Sequence, residues 1–220
     1  MALTIGDTAP NFTAQTTQGE IDFHDWIGDN WAVLFSHPRD FTPVCTTELG
    51  YMASIKPDFD RRNVKIIAIS TDPTDNHDKW AQDIAQFGGV PEYPIIADTD
   101  HAVAKAYGML PADVAGDPTQ RTPAQNATLR NVFVIGPDKK IKLVLIYPMS
   151  TGRNFDEILR VIDSLQLTAE HQLTTPAQWQ PGEDVIIAGS VSNDAAKEKY
   201  PDGWKEPKPY IRIVPAPTAG

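Results

Sequence analysis

Cys45 is the only cysteine among 220 residues. It lies in the stretch HPRDFTPVCTTELG, residues 37–50, directly after the apolar run WAVLFS. A thiol at such a place offers two chemistries. As a thiolate it is a nucleophile and a redox centre. As a thiol it is a small buried hydrophobe. The spacing around it favours the first. Thr42 is placed to cap a helix, and Pro43 suits the first helical position, where a missing N–H costs nothing. Cys45 is then the third residue of that helix. The first turn carries unpaired N–H groups and the positive end of the helix dipole, so a thiolate is favoured there as a carboxylate would be. A thiol that merely helps pack a helix start leaves the polar, proline-rich neighbours unexplained.

One cysteine rules out an intrachain disulfide, a CxxC redox pair and a multi-cysteine zinc site. The histidines at 24, 37, 77, 101 and 171 show no metal-ligand spacing such as HExxH, so no metal and no other cofactor is indicated. Lys and Arg number 19 against 29 Asp and Glu, a net charge of −10. That acidity speaks against binding of nucleic acid or of an anionic membrane. The N-terminus, MALTIGDTAPNFTAQTTQ, has neither a basic start nor an apolar stretch of signal-peptide length. No run approaches the roughly 18 apolar residues of a membrane span. The expectation is a reducing compartment, the cytoplasm.

The elements that must position Cys45 follow from periodicity. WAVLFSH (31–37) and VKIIAIS (64–70) are continuous apolar runs, predicted as buried strands. The helix from Pro43 carries Leu49, Met52, Ala53 and Lys56 at helical spacing; Gly50 weakens it and Pro57 should end or kink it. Asp75 or Asn76 is predicted to cap a helix stopped by Gly88 and Gly89. YPIIAD reads as a short strand and HAVAKAYGM as a short helix. The segment 131–147 has two β-rich arms around Gly136-Pro137-Asp138, a hairpin. Phe155, Ile158, Leu159, Ile162 and Leu165 then mark an amphipathic helix with Asn154 as its cap. The early βαβ order predicts parallel strands and the late hairpin an antiparallel pair. Together they form an α/β, thioredoxin-like mixed sheet flanked by helices. Residues 1–166 are read as that domain. Residues 167–220, rich in Pro, Gly and Trp, are read as a small C-terminal arm or subdomain with too little apolar sequence for an independent core.

Pro38, Thr42 and Cys45 stand as P-x-x-x-T-x-x-C, and with SHPRDFTPVCTTELG around them the chain resembles the single-cysteine branch of the peroxiredoxins. The likeness continues through RNVKIIAIS, YPIIAD, NVFVIGPDKKIKLVLIYP and STGRNFDEILRVIDSLQLT, so it covers nearly the whole chain. The resemblance implies a thiol-dependent peroxidase acting on hydrogen peroxide and organic hydroperoxides. Cys45 would be the peroxidatic cysteine, forming a sulfenic acid. Thr42 would aim its hydroxyl at the peroxide and the sulfur, and Pro38 would shield the thiolate from water. Arg130 would place its guanidinium beside both, with Glu48 and Arg153 as the ion pair that orients it. His37 would either sit near the sulfur or make a structural hydrogen bond at the strand end. Read alone, Arg130, Glu48 and Arg153 are ordinary charged residues at a strand start and helix ends.

With no resolving cysteine, the reductant must come from outside: glutathione, a thioredoxin- or glutaredoxin-like protein, or ascorbate. The resemblance also implies a homodimer contacted by the C-terminal arm. Some relatives add a phospholipase built on His, Ser and Asp. The matching positions here are His24, Asn30 and Asp138, and Asn30 has no hydroxyl, so no serine-type phospholipase is expected. The same thiol could instead serve a peroxide sensor, a thiol transferase, or an inert thioredoxin-fold binding module.

Overall fold

A computed structural model of the chain describes residues 3–112 and 122–217. It divides into two compact units, Met1–Asn154 and Phe155–Gly220. The strands of the first unit are β1 (Thr13–Thr16), β2 (Gly19–Asp22), β3 (Trp31–Ser36), β4 (Val64–Ser70), β5 (Ile95–Ala97), β6 (Arg130–Ile135) and β7 (Ile141–Tyr147). They form one sheet in the order β2-β1-β5-β4-β3-β6-β7. Its helices are α1 (Phe23–Ile27), α2 (Pro43–Asp60), α3 (Thr74–Ala85), α4 (Ala102–Ala106) and α5 (Pro123–Asn126).

β3, β4 and β5 run parallel, joined by α2 and α3. β6 pairs antiparallel with β3 and with β7 across the Gly136-Pro137-Asp138 turn. This is the thioredoxin-like mixed sheet that the βαβ order predicts. Leu34, Ile67, Ile69, Ile96, Phe133 and Ile135 join Phe23, Ile27 and Tyr107 in one apolar cluster. The alternate residues Val33, Phe35, Ile66, Ala68 and Val132 are buried too, as in strands covered on both faces. The β1–β2 hairpin extends the sheet through Thr16 and Ile96. Its sequences, TAQT and GEID, carry almost no apolar signal, so no strand is predicted there.

Three helix expectations are corrected. Of the two outcomes expected at Pro57, an end or a kink, the end does not occur: α2 runs on to Asp60. In the last turn the proline removes a single hydrogen bond, which burial of Phe59 offsets. Gly50 is a packing position rather than a weak point: a Cβ there would lie 2.7 Å from the carbonyl oxygen of Phe87. α3 starts one residue before Asp75, after Pro73, without a side-chain cap.

The second unit holds α6 (Phe155–Glu170), α7 (Asn193–Lys199) and strands β8 (Leu173–Thr174), β9 (Val185–Ile187), β10 (Lys205–Lys208) and β11 (Ile211–Val214). The strands form a sheet in the order β10-β11-β9-β8. Against expectation, this unit has a core. Leu173, Trp179, Val185, Ile187, Val191, Ala196 and Val214 are buried together, because scattered two- and three-residue apolar pieces meet on one sheet face. No helix among the described residues is long and apolar enough to cross a membrane.

Candidate active site

The chain leaves β3 at Ser36, turns through residues 37–41 and enters α2. The turn is tied to the neighbouring strand. Ser36 Oγ donates to the Leu129 carbonyl at 2.6 Å and accepts from the Asn131 amide at 3.0 Å. Thr128 Oγ1 donates to the His37 carbonyl at 2.9 Å. The start of β6, and with it Arg130, is thereby fixed relative to the loop that carries Cys45. Phe41, a non-glycine residue, holds φ 54, a strained left-handed turn just before the helix.

Cys45 is fully buried in the first turn of α2. Arg130 Nη1 donates to its sulfur at 3.4 Å and to Glu48 Oε2 at 2.7 Å. Arg130 Nε donates to the Met149 carbonyl at 2.8 Å. Glu48 lies one helical turn beyond Cys45, on the same face. Its Oε1 accepts from the Arg153 amide at 2.8 Å and from Nε at 3.0 Å, and its Oε2 accepts from Nη2 at 2.7 Å. Arg153 Nη1 reaches the Asn131 carbonyl at 2.9 Å, and its guanidinium lies 5.4 Å from the Phe35 ring centre.

Arg130, Glu48 and Arg153 are only 3%, 4% and 8% exposed. Burial would raise the Glu48 carboxyl, but Arg153, helped by Arg130, outweighs it and holds it below its ordinary range. Two buried guanidiniums against one carboxylate leave one positive charge uncompensated beside the sulfur. A thiolate at Cys45 completes a neutral quartet, and isolated buried charge is costly.

Thr42 is the N-cap by its backbone, yet its hydroxyl makes no capping bond. It donates instead to the Arg39 carbonyl at 2.9 Å. Pro38 is buried in the turn, beside a polar cleft. His37 is not bonded to the sulfur. Its Nε2 pairs with Asp40 Oδ1 at 2.8 Å, and Asp40 Oδ2 takes Nδ1 of His77 at 2.6 Å. Of the two roles open to His37, the structural hydrogen bond is the one formed. Burial lowers the His37 pKa from its ordinary 6.5 against the pull of Asp40. Burial would raise Asp40, but the hydrogen bonds from His37 and His77 outweigh it and hold the carboxyl at about 2.

Asp40 and His77 are absent from the sequence-predicted set. Asp40 reads as a loop charge, and it stands 37 positions before His77. The three side chains are a possible ligand set. However, metal bonds of about 2.1 Å would hold the ligand atoms above roughly 3 Å apart. The 2.6 and 2.8 Å contacts are those of a hydrogen-bonded cluster. The phospholipase-matching positions stay apart in their bonding. His24 Nε2 pairs with the Ala9 carbonyl, Asn30 donates to Ile27, and Asp138 pairs with Lys142 in an exposed turn.

Comparison with known proteins covers both units. The AhpC/TSA family model matches residues 5–144, and the model of the C-terminal domain of 1-Cys peroxiredoxin matches residues 164–203. Peroxiredoxin-6 of Gallus gallus is 49% identical, with 98% of each chain covered. The mitochondrial peroxiredoxin PRX1 of Saccharomyces cerevisiae is 50% identical over 96% of this chain and 80% of its own. Among solved structures, a cysteine-to-serine mutant of the peroxiredoxin 6 of Arenicola marina has a TM-score of 0.89 at 47% identity, covering 99% of this chain and 100% of that one. A yeast mitochondrial 1-Cys peroxiredoxin has a TM-score of 0.87 at 49% identity, covering 97% of this chain and 99% of that one. A single cysteine set against a buried guanidinium, on a sheet and with a C-terminal segment that both match, leads to one family: the chain belongs to the peroxiredoxins of the AhpC/TSA family, in the single-cysteine branch, and is a thiol-dependent peroxidase.

Proposed function

We propose that Cys45 reduces hydrogen peroxide and organic hydroperoxides by direct attack of its thiolate on one peroxide oxygen. The S–O bond forms as the O–O bond breaks. The leaving oxygen takes a proton and departs as water or an alcohol, and Cys45 is left as a sulfenic acid. Arg130 serves twice. It balances the thiolate, and its planar fork donates to the peroxide oxygens as negative charge develops on the leaving one. Glu48 and Arg153 hold that fork in place. Thr42 supplies a hydroxyl at the mouth of the site, and Pro38 keeps water from the sulfur. The observation that carries the reading is the 3.4 Å contact from Arg130 to a fully buried sulfur inside a charge group with one positive charge to spare.

Regeneration falls to an external reductant, because no second cysteine exists to form a disulfide. A relative solved in connection with the glutathione and thioredoxin systems supports a thiol in that role. Glutathione and a thioredoxin- or glutaredoxin-like protein are the leading candidates, with ascorbate behind them. The single thiol suits a reducing compartment such as the cytoplasm. The working form is a homodimer, and the C-terminal unit supplies part of its contact. Serine-type phospholipase chemistry is not part of the activity, since Asn30 lacks a nucleophilic oxygen.

Intact mass after one equivalent of hydrogen peroxide tests the step. The wild type should gain one oxygen atom, be trapped by dimedone, and return to its starting mass with added thiol. Cys45→Ser should gain nothing. Disappearance of peroxide while Cys45 stays unmodified would overturn the proposal.

A further inference from the structure

The buried group of His37, Asp40 and His77 has no task in the reaction above, yet it is built into the turn that delivers Cys45. Asp40 is 4% exposed and His77 1%. One Asp40 oxygen pairs with Nε2 of His37, just past the end of β3, at 2.8 Å, and the other with Nδ1 of His77, on α3, at 2.6 Å. Against the cost of burial, the two imidazoles hold Asp40 at about 2, so it is a carboxylate at neutral pH and both contacts are charge-assisted. Its backbone is held as well. The Asp40 amide donates to Asp72 Oδ2 at 2.9 Å, and that oxygen also accepts from Ser70 Oγ, at the end of β4, at 3.1 Å. One loop residue is thus gripped from three elements, by side chain and by main chain.

The next residue shows what the grip opposes. Phe41 holds φ 54, a left-handed conformation that a bulky residue adopts only where its surroundings impose it. Its own ring does not impose it, being 52% exposed. From Phe41 the chain passes through Thr42 into α2 and reaches Cys45 within one helical turn. α3 steadies that helix start at a second point. One turn beyond His77, Trp80 donates its indole N–H to Thr46 Oγ1 at 3.1 Å, and Thr46 Oγ1 donates to the Thr42 carbonyl at 2.8 Å. The Trp80 ring lies 5.4 Å from the His37 ring and 6.1 Å from the Phe41 ring. The strained residue is therefore clamped on both sides. Released on the Asp40 side, it relaxes and draws the first turn of α2 away from Arg130.

We propose that Asp40, held by His77, is a positioning residue for the peroxidase reaction: it keeps the turn in the left-handed conformation that sets the Cys45 sulfur 3.4 Å from Arg130 Nη1. It acts through the turn, since its own hydrogen bonds run to His37, His77 and Asp72. The inference rests on the peroxidase reading given above. A small displacement of the sulfur matters because attack on the peroxide needs thiolate, guanidinium and O–O bond held in register. The same clamp shields the thiol from larger reagents, because Cys45 is fully buried while the turn is closed.

Two rates measured on the full chain at neutral pH test it: consumption of hydrogen peroxide by reduced protein, and alkylation of Cys45 by N-ethylmaleimide, which reaches the sulfur only when the turn opens. In Asp40→Asn the first should fall about tenfold and the second rise about tenfold, the size of one lost charge-assisted hydrogen bond. Asp72→Ala, at a half-buried position, loosens the same turn without touching the imidazoles. It should shift both rates in the same opposed sense, and it carries the test alone if Asp40→Asn does not fold. His77→Gln, which still offers an N–H donor, should stay closer to the wild type than His77→Ala. The alkylation rate should change little in dilute urea, since local opening exposes little surface. A residue that only stabilises the fold would leave both rates unmoved or make alkylation steeply urea-dependent, and one that only tunes the charge on the sulfur would lower both rates. Any of these results would overturn the inference. Failure of the peroxidase reading shows separately, as wild-type protein that consumes no peroxide while Cys45 stays shielded from N-ethylmaleimide.

Discussion

Removing Arg130 and removing Glu48 leave different charges behind in the same buried place. Without Arg130, Glu48 and Arg153 remain as a pair with four hydrogen bonds between or around them, and a Cys45 that keeps its proton leaves the group neutral. Without the Glu48 carboxylate, two guanidiniums share the interior and a Cys45 thiolate can balance only one of them. Breaking a buried pair so that charge is left unmatched costs about 3–5 kcal/mol. Glu48→Gln is therefore expected to lower unfolding free energy by about that amount in urea titrations, and Arg130→Met by clearly less. Equal losses would mean that the group is not charge-coupled. The spacing of Pro38, Thr42 and Cys45 is legible in the sequence because it lies within one turn and one helix start. Arg130 and Arg153 are not legible from the residues alone. Each reads as a solvated charge, since only the fold brings residues 82 and 105 positions beyond Glu48 to its carboxylate. Asp40 and His77 stay hidden for the same reason.

At the scale of elements, Asp40 bridges the end of β3 to α3 through His37 and His77, and this bridge responds to acid. The folded pKa of Asp40, about 2, lies below its ordinary 3.8, so the unfolded chain binds its proton first. That stabilisation is present above about pH 4 and is lost as pH falls toward 2. His37, lowered from 6.5 by burial, acts in the same direction: the unfolded chain takes up a proton below about pH 6.5 that the folded protein refuses. Asp98, raised from 3.8 by burial, works the opposite way and offsets part of the loss. Urea midpoints should begin to fall as pH drops below about 6.5 and fall further below 4, and Asp40→Asn should flatten the lower limb. A flat profile in the wild type would contradict the bridge.

The contact of α2 with the turn after α3 is equally specific. A Cβ at Gly50 would meet the Phe87 backbone at 2.7 Å, and a Cβ at Gly88 would meet the Gly50 carbonyl at 2.2 Å. Gly50→Ala, which improves helix propensity, is nonetheless expected to destabilise by about 1–3 kcal/mol in thermal or urea unfolding. A stabilised variant would show that the two segments can separate freely. Periodicity finds the helix but has no way to show which backbone lies against its glycine. The β1–β2 hairpin escapes it because its strands are short and polar.

At the scale of the whole molecule, the C-terminal unit is more than a tail. Its buried Trp179 donates its indole N–H to the Glu183 carbonyl at 3.0 Å, inside an apolar cluster of its own. The sequence shows the Trp and Pro content of this region but not the sheet that collects it, because its strands have two to four residues each. The proposed homodimer is checked by sedimentation equilibrium, where the expected mass is twice the 24.2 kDa of one chain. A monomer at micromolar concentration would remove that part of the proposal and leave the chemistry of Cys45 untouched.

The central claim is that a buried guanidinium activates a single thiol toward peroxide. It is tested most directly by stopped-flow consumption of hydrogen peroxide by fully reduced protein, with wild type, Arg130→Lys and Cys45→Ser side by side. The wild type should consume one equivalent far faster than a free thiol does. Arg130→Lys, which keeps the charge but loses the fork, should be slower by roughly 100-fold, and Cys45→Ser should not react. A wild-type rate no greater than that of a free thiol, unchanged in Arg130→Lys, would contradict the account.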